Sequence, residues 1–217
     1  MRGDGRSYLA RSDDEDDLIF YPAPDSYSAS NAATAGAFVL SESYLYTTDT
    51  IVESFDHLSD DGIVAVQYGE YDYKDKPNRT TRYVATAREA LSERGVDDPA
   101  RHIVVITSPT GVGGTYSTIL VKEKPFTTAE VERTLEKIPV VPGAKLRYAP
   151  GNPVEGQSVS EVATLPNDEL DAFYESYPYD VRPITDDGPF FWHFTEFRDV
   201  ISDFGDPIDR DDPEDSV

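Results

Sequence analysis

Four apolar runs, and the lengths of chain between them, constrain this sequence more than any other feature. Leu18–Tyr21 ("LIFY"), Ile63–Tyr68 ("IVAVQY"), His102–Thr107 ("HIVVIT") and Tyr116–Lys122 ("YSTILVK") are each short and rich in β-branched or aromatic residues, the pattern of strands buried in a sheet. Between the first two runs, Thr47 or Thr48 is placed to cap a helix through Leu58, with Ile51, Phe55 and Leu58 on one face. Between the second and third lies Asn78–Arg94, with Tyr83, Ala87 and Leu91 spaced by four and Gly95 as its stop. Strands joined by a helical crossover run parallel. The third and fourth runs are too close for a crossover, so they pair as an antiparallel hairpin around Gly111, Gly113 and Gly114. The expected core is an α/β sheet built strand, helix, strand, helix, strand, strand.

The segments around this core read less sharply. Residues 22–46 form a long loop with a helical turn near Ala32–Phe38, and loops of that length often carry function. Asp60-Asp61-Gly62 reads as a turn, and 69–77, including part of "YGEYDY", as a charged surface loop. Downstream come a helix from Thr127 or Thr128 to Ile138, a short strand Lys145–Tyr148, and a loop to about Pro166. A helix Asn167–Tyr174, an aromatic cluster over 177–197 and an acidic, disordered tail follow. The division expected is a partial sheet domain over 1–125, a small α+β extension of that domain over 126–200, and the tail over 201–217.

Charge narrows the function classes. Forty-two Asp and Glu against 19 Lys and Arg give a formal net charge of -23, the wrong sign for a nucleic-acid surface. Hydrophobic content of 38% and aromatic content of 12% argue for a folded chain. A folded domain this acidic suits high salt, where repulsion is screened over a few ångströms, so a halophilic source is expected. The absence of cysteine excludes disulfides, thiolate catalysis and zinc–cysteine sites. No stretch approaches the ~20 apolar residues of a membrane span, and "MRGDGRSYLARSDDEDD" is too charged for a signal peptide. A soluble, cytoplasmic chain is expected.

The order of "DGRSYLARSDDEDDLIFYPAPDS", "LSESYLYTTDTIVESFDHLSDDGIVAVQ" and "TDDGPFFWHF" resembles the spermidine synthase family of aminopropyltransferases, most closely its membrane-linked members, over roughly residues 3–197. The resemblance implies a Rossmann-like, S-adenosylmethionine-dependent transferase (methyltransferase-type) sheet of strand order 3-2-1-4-5-7-6. This chain would supply its C-terminal half, 4-5-7-6. It implies alkyl (aminopropyl) transfer from decarboxylated S-adenosylmethionine, or S-adenosylmethionine, to a small-molecule amine, and no metal. It implies that Asp4 reads the adenine, that Asp25 orients and deprotonates the acceptor, and that Ser26 and Tyr46 line the acceptor site. Asp25 matches the second aspartate of the family's D-x-x-D loop, and Pro22 stands where the first belongs. The first strands and their Gly-rich turn find no match. Three outcomes are therefore expected as alternatives: the chain is a fragment of a longer protein, it pairs with a separately encoded N-terminal half, or strand 18–21 is covered by its own residues, such as the loop at 22–46, or by a second copy. Two alternatives stay open: a non-catalytic half-domain that binds a partner, and an S-adenosylmethionine-dependent methyltransferase.

Other motifs weigh less. "GVGG" at 111–114 opens no helix and makes no nucleotide loop. Thr185–Gly188 with Phe190–Phe194 reads as an acidic turn leading into a packed aromatic strand, with a cation site as the rival. His57, His102 and His193 are too scattered for a metal motif and are expected to be structural. "DPIDRDDPED" lacks the pattern of a calcium loop, and Ser26, Ser28 and Ser30 show no nucleophile elbow.

Overall fold

A computed structural model describes residues 5–22, 44–70, 73, 76–110, 114–192 and 194. The four apolar runs become β1 (Asp16–Pro22), β2 (Leu58–Glu70), β3 (Ile103–Pro109) and β4 (Thr115–Val121). The sheet order is β1-β2-β4-β3-β5-β6, where β5 is Lys145–Ala149 and β6 is Asn152–Pro153. β1 pairs parallel with β2, Leu18 facing Ile63 and Tyr21 facing Val66. β4 runs antiparallel between β2 and β3, with Val64 and Ile103 both opposite Val121. The sheet is thus a mixed α/β sheet, parallel at β1–β2 and antiparallel at its other pairings.

The helices form where spacing and caps agree. α1 is Gly5–Leu9. α2 is Thr48–Phe55, and its N-cap Thr47 accepts from the Thr50 N–H. It stops short of Leu58, which instead opens β2. α3 is Asn78–Glu93, burying Tyr83, Ala87 and Leu91, and Gly95 follows at φ 79°, where a side chain would be strained. α4 is Thr128–Lys137, opened by a reciprocal capping box between Thr127 and Glu130.

Three expectations change. Asp60–Gly62 is not a turn between elements: β2 runs through it. Pairing with β1 jumps there, from Asp16 opposite Leu58 to Leu18 opposite Ile63, so the extra residues of β2 form a bulge. Gly62 is required at that bulge, because a Cβ would lie 2.8 Å from Leu58 Cβ and 3.0 Å from the Asp16 carbonyl. The expected loop before Pro166 contains β6 and α5 (Ser158–Thr164), whose Val159, Val162 and Ala163 are buried at i, i+3, i+4 spacing. The helix expected over Asn167–Tyr174 starts as a 3-10 turn, Asn167–Glu169, and continues as α6, Leu170–Ser176.

One face of the sheet is closed by α2, α3, α5 and the segment after α6, around Tyr46, Ile51, Val64, Tyr83, Leu91 and Phe191. The other face carries a smaller cluster, Val104, Phe126, Val131 and Ala149, with Leu120, Leu135 and Leu146 from β4, α4 and β5. That second cover does not reach β1. Ile19 and Tyr21 point into the main core, while the alternating residues Leu18 and Phe20 are 56% and 46% exposed. Among the described residues no helix is long and apolar enough to cross a membrane.

Candidate functional site

In open α/β sheets, ligands collect outside the carboxyl ends of parallel strands. Here β1 ends at Pro22 and β2 at Glu70. Gly5 opens α1 beside Tyr21 and Leu45, and the Tyr21 hydroxyl shares a 2.9 Å hydrogen bond with Ser54 Oγ. Of the residues expected to bind ligand, Asp4, Asp25 and Ser26 lie outside the described residues, as do the turn near 32–38, Gly111, Gly113, His193 and the tail. Tyr46 is described, and it is wholly buried. Its ring stacks on Phe191 at 4.4 Å and meets Tyr68, Tyr83 and Trp192 edge-on. As placed, Tyr46 packs the core.

The three stretches that carry the resemblance meet nearby. Arg6 of α1 holds Glu53 of α2 at 3.0 Å and grips Asp186 through both terminal nitrogens, at 2.7 and 2.6 Å. Thr47 Oγ donates to the same Asp186 carboxylate at 2.7 Å, and the Asp186 N–H donates to Asp49 at 2.8 Å. The Thr48 N–H and hydroxyl both donate to the Ile184 carbonyl. The Asp186 hydrogen bond holds the Arg6 guanidinium above its ordinary pKa. Burial works against ionising Asp186, but Arg6 and Thr47 outweigh it and hold its carboxyl below the usual range. The acidic turn at 185–188 does take a cation, and that cation is the chain's own Arg6. Phe191 behind it is buried in the core, and residues 189–192 form no strand.

Alongside this junction runs a groove of about 590 Å³ between α1 and α2, lined by Arg6, Ser7, Ala10, Tyr44, Val52 and the carboxylates Asp49, Glu53, Asp56 and Glu93. Burial, then Asp49 and Glu89, push the Glu93 carboxyl above its usual range. Three of the four acids already have partners: Glu53 has Arg6, Asp49 the Asp186 N–H, and Asp56 has Arg94 at 2.8 Å. The groove is an acidic surface braced from within.

A second polar cluster went unread in the sequence. The stretch expected as a surface loop begins inside β2, and Tyr68, Glu70 and Tyr73 are buried. Glu70, 3% exposed, accepts from the Thr80 N–H and hydroxyl, each at 2.9 Å, and Thr80 Oγ bonds Ser117 Oγ at 2.7 Å. Pro77, the N-cap residue of α3, offers no side-chain cap, so Glu70 supplies one from the end of β2. Arg147 lies 4.2 Å over the Tyr73 ring and donates to Thr107 and Gln157. Glu70→Ala strands the Thr80 N–H at a buried helix terminus, and we expect it to cost about 1–3 kcal/mol in denaturant unfolding. A loss within experimental error sinks the capping role.

His102 is buried with Nδ1 donating to the Lys122 carbonyl at 3.0 Å, and burial lowers its pKa. Among the described residues no group of three or more His, Asp or Glu is arranged to hold a metal. No protein-family model matches this chain, and no curated protein matches it.

Proposed function

We propose that this chain is the acceptor-side half of a spermidine-synthase-like transferase, with the nucleoside held on the far side of β1. The observation that carries the reading is the strand order. β1-β2-β4-β3, with the first pair parallel and β4 inserted antiparallel, is the order 4-5-7-6 that the resemblance implies. The meeting of "DGRSYL", "YLYT" and "TDDGPF" through Arg6, Thr47 and Asp186 supports it further.

The described residues do not cradle an adenosyl group by themselves. β1 is the sheet's edge, and no strand lies beyond it among the described residues. On the acceptor side, Asp25 and Ser26 would hold the amine. A carboxylate suits this, since it pairs with an ammonium and can accept its proton. With Pro22 at the first position of the loop, one carboxylate would do what two do in the family. Tyr46 would act from beneath, as the buried wall on which the aromatic segment rests. A methyltransferase shares the strand order and differs in the nucleoside it takes. The non-catalytic, partner-binding reading is favoured by one observation, the exposure of Leu18 and Phe20 beside the free edge.

Calorimetric titration of the purified chain in multimolar KCl tests this with S-adenosylmethionine, its decarboxylated form and methylthioadenosine. Saturable binding supports the transferase reading, and preference between the first two separates alkyl from methyl transfer. Asp25→Asn is then expected to weaken acceptor-amine binding while sparing the nucleoside. A folded chain that binds none of the three refutes the reading for this polypeptide on its own and leaves partner binding.

A further inference from the structure

β1 presents an unusual edge. Parallel strands are normally covered on both faces, and natural sheet edges are blunted by lysine, proline or a bulge. Here the bulge lies on the inner strand, at Ser59–Gly62, and Pro22 guards only the last position. Between them, Leu18-Ile19-Phe20-Tyr21 carries no charge, pairs among the described residues with β2 alone, and exposes Leu18 and Phe20. The N-terminal flank of this edge is the run Asp13-Asp14-Glu15-Asp16-Asp17. Among the described residues none of these five meets a Lys or Arg, whereas Asp60, on the neighbouring strand, pairs with Lys124 at 3.1 Å.

We infer that the edge of β1 takes an extended segment of a partner polypeptide, apolar at alternate positions and carrying Lys or Arg on the flank beside Asp13–Asp17. Strand addition supplies the backbone hydrogen bonds that β1 leaves open among the described residues. The partner's apolar side chains cover Leu18 and Phe20, and its bases neutralise the carboxylate run. A second copy is the poorer occupant. Edge-to-edge pairing of two copies joins two chains of charge -23, whereas a basic partner segment meets the Asp13–Asp17 run with the opposite sign. The inference rests on this edge alone, so a chain that binds no nucleoside can still satisfy it.

The probe is a labelled peptide, Arg-Lys-Thr-Val-Thr-Val-Thr-Val, compared with the same peptide carrying Glu-Glu in place of Arg-Lys. Binding is read by anisotropy at the lowest KCl at which the chain keeps its circular dichroism spectrum. We expect the basic peptide to bind at least about tenfold tighter than the acidic one, with a preference that fades as KCl rises. Amide exchange should slow within residues 18–21, and Phe20→Lys, at an exposed position that spares the fold, should weaken binding by about tenfold. Three results overturn the inference: equal or absent binding of the two peptides, protection only outside 18–21, or a chain that sediments as a dimer broken by Phe20→Lys.

Discussion

Arg82→Met lowers stability by about 3–5 kcal/mol, the largest loss we expect from a single substitution outside the apolar core. Arg82 sits in the second turn of α3 and is 1% exposed. Its guanidinium donates to the carbonyls of Phe190 and Phe191 at 3.0 and 2.8 Å and to that of Asp180, pairs with the Asp180 carboxylate at 3.3 Å, and lies 4.4 Å from the Phe194 ring. One side chain thus collects the acceptors of a segment that has no regular structure to satisfy them. Burial lowers its pKa to about 10, so it remains charged at neutral pH. Methionine keeps most of the stem volume and removes the guanidinium that donates to three main-chain carbonyls. The damage should start in 177–194, which would become the first site of limited proteolysis while β1–β4 stay protected from exchange. Arg82→Lys should rescue only part, since one ammonium cannot reach three carbonyls. A loss under about 1 kcal/mol for Arg82→Met would mean the segment is held by Phe191 packing instead.

The same residue shows where sequence reading stops. The strands, α3 and its Gly95 stop were legible because apolar runs and four-residue spacing are local signals. The hairpin of β3 and β4 followed from the short span between them. An arginine inside a helix reads as solvent-facing until the topology lays the 177–194 segment across it. Glu70 reads as a loop acid until β2 proves long enough to bring it under the N-terminus of α3. α5 has Ser, Thr and Val at most of its seven positions, poor helix formers that packing against α3 overrides. Asp60-Asp61-Gly62 reads as a turn because Asp and Gly favour turns, but β2 runs through it and bulges there, since its pairing with β1 is a long-range fact. At the candidate site, the motifs carried by Arg6, Thr47 and Asp186 were visible as stretches. Their joining, through an arginine and an aspartate 180 residues apart, is a long-range fact that no spacing encodes. Tyr46, placed at the acceptor site by the resemblance, is seen to stack on Phe191 inside the core, a packing role that no local pattern announces.

Glu130→Gln is the second large effect, and its pH dependence has a definite sign. Lys122 is 1% exposed, with Nζ 2.6 Å from Glu130, 5.5 Å from the Phe126 ring and 3.9 Å from the largely exposed Asp61. Burial raises the Glu130 carboxyl, but the Lys122 hydrogen bond and the Thr127 N–H and hydroxyl outweigh it and bring it down to about 2. A carboxyl depressed in the folded state stabilises fully above its unfolded value, about 4.3. That contribution is lost as pH falls through the folded value. The pair should therefore hold at neutral pH and fail between about 4.3 and 2. Glu130→Gln removes the charge at every pH and leaves Lys122 buried against Phe126 with only a distant acid. We expect a loss of about 2–4 kcal/mol at pH 7 that shrinks steadily over the acid window, because the wild type is losing the same interaction there. Lys124→Gln is the control. Its pair with Asp60 is exposed on both sides and should contribute no more than about 0.5 kcal/mol, less still in multimolar KCl. Denaturant unfolding of both variants from pH 7 to 2, in the same high salt, separates the two cases. A Glu130→Gln penalty that stayed constant across the acid range would mean that packing or the Thr127 cap, and not the charge on Glu130, holds Lys122 in place.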